Sequence, residues 1–333
     1  MVYRVYRNRR HSKTYELKME CPREGMRITH PSSCQFRSVN YRKVGGTMRR
    51  RLLLASCITL LLFLSVPTLT SACTLWAAAG DRVADGGTMI HKNRDWSPNH
   101  QQELRLVTPK KGFRYLSLYT TGNEWIGTKA GVNSEGLVIV TASAPSHLDK
   151  KVNFQGKTNT ATLLSRYESV ANALKALEAG EWKCGPEFLI MADKAEIASI
   201  EFGMGGQHAV IERKSNGVVF HTNHYLSDDL IELNPEKISV SSLKRYAKIN
   251  ELLNSKDILD MDDSDSFSKN PVLWRLGATP TSVRTLSAWT VRHYSNGNST
   301  LHLIMANPGN QEASYEIPLA DAFSGKYDVT TVR

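Results

Sequence analysis

Cysteine is scarce, with 5 residues in 333, so a disulfide-stapled scaffold is excluded. No C-x-x-C pair and no Cys/His cluster at metal-ligand spacing occurs, and no metal site is expected. The chain has no G-x-G-x-x-G, no P-loop and no internal repeat, which removes the dinucleotide, nucleoside-triphosphate and solenoid classes. No cofactor is implied. Long apolar runs are missing as well. The most apolar stretch, LLLASCITLLLFL from Leu52 to Leu64, has 13 residues, short of the roughly 20 that a spanning helix needs. What remains is ordinary globular composition, 41% hydrophobic and 22% charged, with enough apolar residues for a sizeable core.

The formal net charge of +10 is unevenly placed. Residues 1–72 carry 14 Lys and Arg against 3 Asp and Glu, whereas the rest of the chain carries 28 against 29. The body is neutral, and a folded nucleic-acid-binding surface is not expected. Within the basic segment, Arg49-Arg50-Arg51 precede the apolar run, Pro67 follows it, and Thr70-Ser71-Ala72 supply small residues. That order describes a secretory signal over 48–72 with cleavage after Ala72, and hence a periplasmic or extracellular protein that meets the membrane only through its signal. Residues 1–47 read as a mis-called or disordered extension, with Met48 as the start. Cleavage makes Cys73 the first residue of a 261-residue domain, 73–333. Thioether acylation of that cysteine is the rival fate, although Thr70 stands where a lipoprotein signal usually has Leu.

Past Cys73 the sequence is punctuated into short β-rich runs: CTLWAAA, TMIHKNRDW after the turn Asp85-Gly86-Gly87, then 103–107, 114–119 and 137–143. Residues 131–136 (GVNSEG) read as a loop. Helical spacing follows at 158–167 and at 169–179, the second with Ser169 as a cap. Strands return at 187–192, 196–202, 208–212 and 217–222. A helix is expected over 238–254 with Leu243, Tyr246, Ile249 and Leu253 on its apolar face, then strands at 287–294 and 300–306 around Ser295-Asn296-Gly297. The Asp- and Ser-rich stretch 257–270 reads as a surface loop. The order predicts a layered α+β domain rather than a parallel doubly wound sheet.

An N-terminal cysteine combines nucleophile and base, since its thiol attacks while the α-amine takes the proton near neutral pH. Around Cys73, the segments CTLW, His91–Trp96 (HKNRDW), Gly131–Leu137 (GVNSEGL), Thr222–Tyr225 (TNHY) and Ser241–Tyr246 (SSLKRY) resemble one family in order and approximate spacing. That family is the cysteine N-terminal-nucleophile (Ntn) hydrolases: choloylglycine (bile salt) hydrolases, penicillin V acylases and isopenicillin-N acyltransferase-like, C45-type linear amide hydrolases. The resemblance spans 73–333. It implies a four-layer αββα sandwich with two stacked antiparallel sheets, and cleavage of a small linear amide through a thioester on Cys73. It further implies that Asp95 holds the α-amine, that Asn223 helps bind the oxyanion and that Arg245 closes the site. Lys92 stands where those enzymes carry an arginine beside the thiol, and Ser143 where bile salt hydrolases have an oxyanion-hole asparagine. Arg94 is a second candidate cation, with the alternation of strand faces weighing against it.

Each residue also has a plainer reading. Asp95 is a turn acid or partner of Arg94, Asn223 a strand-end cap, and Arg245 an exposed helix cation. Asn133 and Gly136 read as a turn feeding a core strand, and Cys184 as an incidental loop thiol. His221 and His224, three apart on a strand, point to opposite faces and make a poor metal pair. Three functions stay open: amide hydrolysis, acyl transfer through the same thioester, and a non-catalytic lipoprotein acylated on Cys73. Assembly into a homo-oligomer is compatible with all three.

Overall fold

Thr74–Ala79 (β1) and Thr88–Trp96 (β2) are buried at every position, so both faces of each strand must be covered. The computed structural model, which describes residues 72–122, 125–145 and 158–332, shows what covers them. The leader expectations for 1–47 and 48–72 lie outside the described residues, Ala72 excepted.

The strands of the described residues form two antiparallel sheets, one of six that contains β1 and β2 and one of seven. The second sheet runs through His100–Val107 (β3), Tyr115–Gly122 (β4), Gly127–Asn133 (β5), Val138–Ser143 (β6), Glu187–Ala192 (β7), Ile197–Phe202 (β8) and His208–Lys214 (β9), paired in chain order. The first sheet adds Gly217–His221 (β10), Arg284–His293 (β11), Ser299–Met305 (β12) and Ala313–Pro318 (β13), in the order β10-β1-β2-β11-β12-β13. Side chains alternate across each strand. Leu75, Ala77 and Ile90 of the first sheet therefore meet Leu116, Val140 and Ile190 of the second in the central core. Trp76, Ala78 and Met89 point the other way, against the helices Val240–Asn254 (α3) and Met261–Ser268 (α4). The outer face of the second sheet is covered by Thr160–Arg166 (α1) and Val170–Glu178 (α2), which bury Leu163, Leu164, Leu174 and Leu177 against Ile139 and Met191. The layers are thus helix, sheet, sheet, helix, with a last short helix at Leu319–Ser324 (α5). Two glycines are required by the backbone. At Gly87 (φ 80°) an added Cβ would lie 2.1 Å from the His293 carbonyl oxygen, and at Gly131 one would lie 2.5 Å from Leu164 of α1.

Four expectations need correction. The stretch 257–270 is not a loop: α4 forms there, capped by a reciprocal Asp260–Asp263 box. It was hidden because it buries polar residues, Ser264 against Thr290 at 2.9 Å and Ser268 against Asn93 at 3.0 Å. The loop expected at 131–136 begins only after Asn133, because Gly131 gives β5 the flat surface on which α1 rests. Strand β13 was not anticipated. In α3 the buried face is Ser242, Arg245, Ile249 and Leu253, whereas Leu243 is 44% exposed.

Asn133 ties the sheet to α1. Its amide donates to the carbonyls of Leu164 (2.8 Å) and Tyr167 (2.7 Å), and its Oδ1 accepts from the backbone of Glu135, Gly136 and Leu137. Asn133→Ala should lower the unfolding free energy by about 2–3 kcal/mol, measured by urea denaturation; an unchanged midpoint would show that water replaces these bonds.

Candidate active site

Cys73 stands at the entry to β1, 2% exposed, with its Sγ 4.0 Å from the Asp95 carbonyl oxygen. The pairing of Thr74 with Asn93 and Leu75 with Lys92 places the start of β1 beside the end of β2. Strand alternation then sorts the side chains. Lys92 and Arg94 are two apart, share one face and line a cavity of about 570 Å³ between the sheets together with Cys73. The alternation argument raised against Arg94 fails for this reason: it separates Arg94 from Asp95, not from Lys92. Arg94 donates through Nε to Gln102 Oε1 at 2.8 Å and feels the charge of the Cys73 sulfur. Lys92 Nζ donates to the carbonyls of Lys129 (3.0 Å) and Thr141. Burial lowers Lys92 to about 8 and Arg94 to about 10, with Cys73 pulling each back up.

Asn93 and Asp95 face the helix layer. A β-bulge in β11 between Thr285 and Ser287 lies opposite Arg94 and Asp95, the kind of irregularity that re-aims a side chain. Asp95 Oδ1 accepts from Thr285 Oγ1 at 2.7 Å, while Oδ2 is buried with no hydrogen-bond partner among the described residues. Burial pushes this carboxyl up to about 6 against the opposing charge of Arg245 and the Thr285 hydrogen bond.

Arg245 is not an exposed cation. It is 2% exposed on α3 and reaches across to the Cys73 carbonyl, Thr74 Oγ1 (3.2 Å) and Asn223 Oδ1 (2.8 Å). Asn223 follows β10 and donates from Nδ2 to the Ser143 carbonyl at 2.9 Å. Ser143, the last residue of β6, therefore meets Asn223 through its backbone. It lines both the first cavity and a second one of about 440 Å³, which is also bordered by Ala72, Asn223, Arg245 and Arg275. Cys73, Lys92, Asp95, Ser143, Asn223 and Arg245 are thus brought to one junction. Cys184 is apart from it, buried in the core under α2 with its Sγ 3.3 Å from the Thr158 carbonyl.

Three residues that hold this junction escaped the sequence reading. Ser242 Oγ gathers the Asn223 amide (2.9 Å), Thr222 (3.0 Å) and His224 Nδ1 (2.9 Å). Glu201, fully buried, binds His221 Nε2 at 2.8 Å and the backbone of Leu226 and Ser227, which fixes the segment that carries Asn223. Thr285 orients Asp95. The lone acid in the apolar run IASIEF was the one available signal, for Glu201; Thr285 had none. Among the described residues no group of three or more His, Cys, Asp or Glu is placed to hold a metal.

The model of a family described as acyl-coenzyme A:6-aminopenicillanic acid acyl-transferase matches residues 83–315, most of the chain, beginning ten residues past Cys73. Among solved structures, a variant of the conjugated bile acid hydrolase from Clostridium perfringens superposes with a TM-score of 0.52 at 14% identity, over 78% of this chain and 94% of that one. That likeness carries the Ntn-hydrolase sandwich. An N-acylethanolamine-hydrolyzing acid amidase ortholog from Caenorhabditis elegans aligns at 12% identity and a TM-score of 0.45, over 66% of this chain and 92% of that one. A search of curated proteins finds no match.

The buried Asp95 has a consequence for stability. Its folded value lies above the ordinary 3.8, so the folded chain holds a proton that the unfolded chain releases between about pH 4 and 6, and stability is lost as pH rises through that window. In a chain with Ala72 still joined to Cys73, Asp95→Asn should raise unfolding free energy at pH 7 by on the order of 2 kcal/mol, with no gain below pH 4. Denaturant melts across pH check this; a loss at pH 7 would show that the carboxylate is already compensated.

Proposed function

Because the chain belongs to the acyl-coenzyme A:6-aminopenicillanic acid acyl-transferase family, and because Asp95, whose backbone carbonyl meets the Cys73 thiol, has a buried carboxylate oxygen unmet among the described residues, we propose that it is an exported hydrolase of small linear amides in which a processed Cys73 is nucleophile and base. The unpartnered Oδ2 carries this reading. Cleavage after Ala72 turns the Cys73 nitrogen into an amine, and its ammonium form would supply the donor that Asp95 Oδ2 has not met.

In the reaction, the α-amine takes the thiol proton and the sulfur adds to the amide carbonyl. Negative charge on sulfur is met by Arg94 and Lys92. The tetrahedral oxyanion accepts from the second Asn223 Nδ2 proton, the first being bound to the Ser143 carbonyl. The α-ammonium returns its proton to the leaving nitrogen, the C–N bond breaks, and an amine departs from a thioester. Water then adds to the thioester with its proton going to the α-amine, and collapse restores the thiol and releases the acid. Arg245 holds the nucleophile's carbonyl and Asn223 in register throughout. Acyl transfer is a second reading, favoured by the cavity across Ser143, which gives an acceptor amine a place of its own. The burial of Cys73 favours a nucleophile over a lipid anchor.

Cys73→Ala should cost about 10⁴-fold or more in kcat on an amide panel read by released amine, while Cys184→Ser should keep its rate. A chain blocked against cleavage at Ala72, its N-terminus verified by mass, should be inactive; full activity in that form would place the base elsewhere. Added hydroxylamine separates the two readings, since a transferase diverts most acyl groups to hydroxamate.

A further inference from the structure

Ligand pockets are usually apolar with a few polar groups, yet among the described residues the cavity at Cys73 is lined by Lys92, Arg94, Arg105 and Lys129 against one acid, Glu187. Three of these cations are already engaged. Arg105 pairs with Glu103 at 2.6 Å and lies over the Tyr119 ring, 3.7 Å from its centroid. Lys92 spends its ammonium on the backbone carbonyls of Lys129 and Thr141. Arg94 is held by Gln102 at 2.8 Å and approaches His100 Nδ1 at 3.4 Å.

Lys129 differs. On β5, in the wall facing Lys92 and Cys73, its ammonium makes no hydrogen bond or ion pair among the described residues. Burial and the Arg94 charge lower it to about 7, against the pull of Glu187. Lys129 is only partly buried, and with Lys92, Arg94 and Arg105 lining the same cavity its ammonium is placed to favour an anion over a neutral group.

We infer, resting on the amide-hydrolase reading, that the acyl half of the substrate carries an anionic group, a carboxylate or its equivalent, seated on the Lys129 ammonium while the scissile carbonyl lies at Cys73. Trp96 and Tyr115 of the same cavity flank the connecting carbon chain. The competing role, in which Lys129 only adds positive potential at the sulfur, would act on every substrate alike.

Two readouts on the processed chain, which begins at Cys73, test this. By calorimetry, glutarate and adipate should bind at least about tenfold more tightly than butanoate and hexanoate, a difference of about 1.4 kcal/mol. The margin should collapse in Lys129→Met and persist in Lys129→Arg. By kinetics, glutaryl and adipoyl amides of one chromogenic amine should exceed their uncharged counterparts in kcat/KM, again only while position 129 is cationic. Equal binding of charged and uncharged acids by the unaltered chain, or a margin that survives Lys129→Met in a protein with an unchanged melting profile, would overturn the inference. So would a Lys129→Met variant that slows both amide classes equally. Lys129-dependent diacid binding with no turnover of any amide would uphold the anion seat and defeat the hydrolase reading instead.

Discussion

The arrangement depends on one buried guanidinium. Burying an arginine is costly unless its protons are met, and Arg245 meets its cost by binding three acceptors: the carbonyl of Cys73, the hydroxyl of Thr74 and the side-chain oxygen of Asn223. Those groups come from the start of β1 and the segment after β10, while the arginine comes from α3. Asn223 then passes the restraint to the second sheet through Ser143. Without that link Cys73 and Asn223 would be positioned independently of each other.

A second constraint is the alternation of β2. Consecutive residues of one strand serve two compartments: Lys92 and Arg94 face the cavity, and Asn93 and Asp95 face the helices. A cation pair and a carboxylate can therefore sit within one tetrapeptide without neutralising each other. In the proposed mechanism this keeps the charge that holds the amine apart from the charge that serves the sulfur.

The sequence made much of this legible because strand and helix periods are local. The runs around β7, β8 and β10 were placed within a residue or two, and the motif residues Cys73, Asp95, Asn223 and Arg245 converge. What stayed hidden was decided by partners distant in sequence. Helix α4 looks like a loop until Thr290, His91 and Asn93 are seen receiving its serines. Leu243 was assigned inward because the apolar count of α3 ignores Ser242 and Arg245, whose burial follows from what they bind. The alternative of an exposed Arg245 fails for the same reason, and Ser242, Glu201 and Thr285 acquire their roles only from the fold.

The cavity wall is shared between layers, with Cys73, Lys92 and Arg94 from one sheet and Lys129, Thr141 and Glu187 from the other. Its dimensions are therefore set by the spacing of the two sheets, which is fixed by how Leu75, Ile90, Leu116 and Ile190 interlock in the central core. Close-packed interiors transmit a change of one methylene. Hydrophobic volume far from the sulfur thus acts as a calibration screw on ångström-scale charge separation, and substrate choice can drift through ordinary core substitutions that touch no polar group.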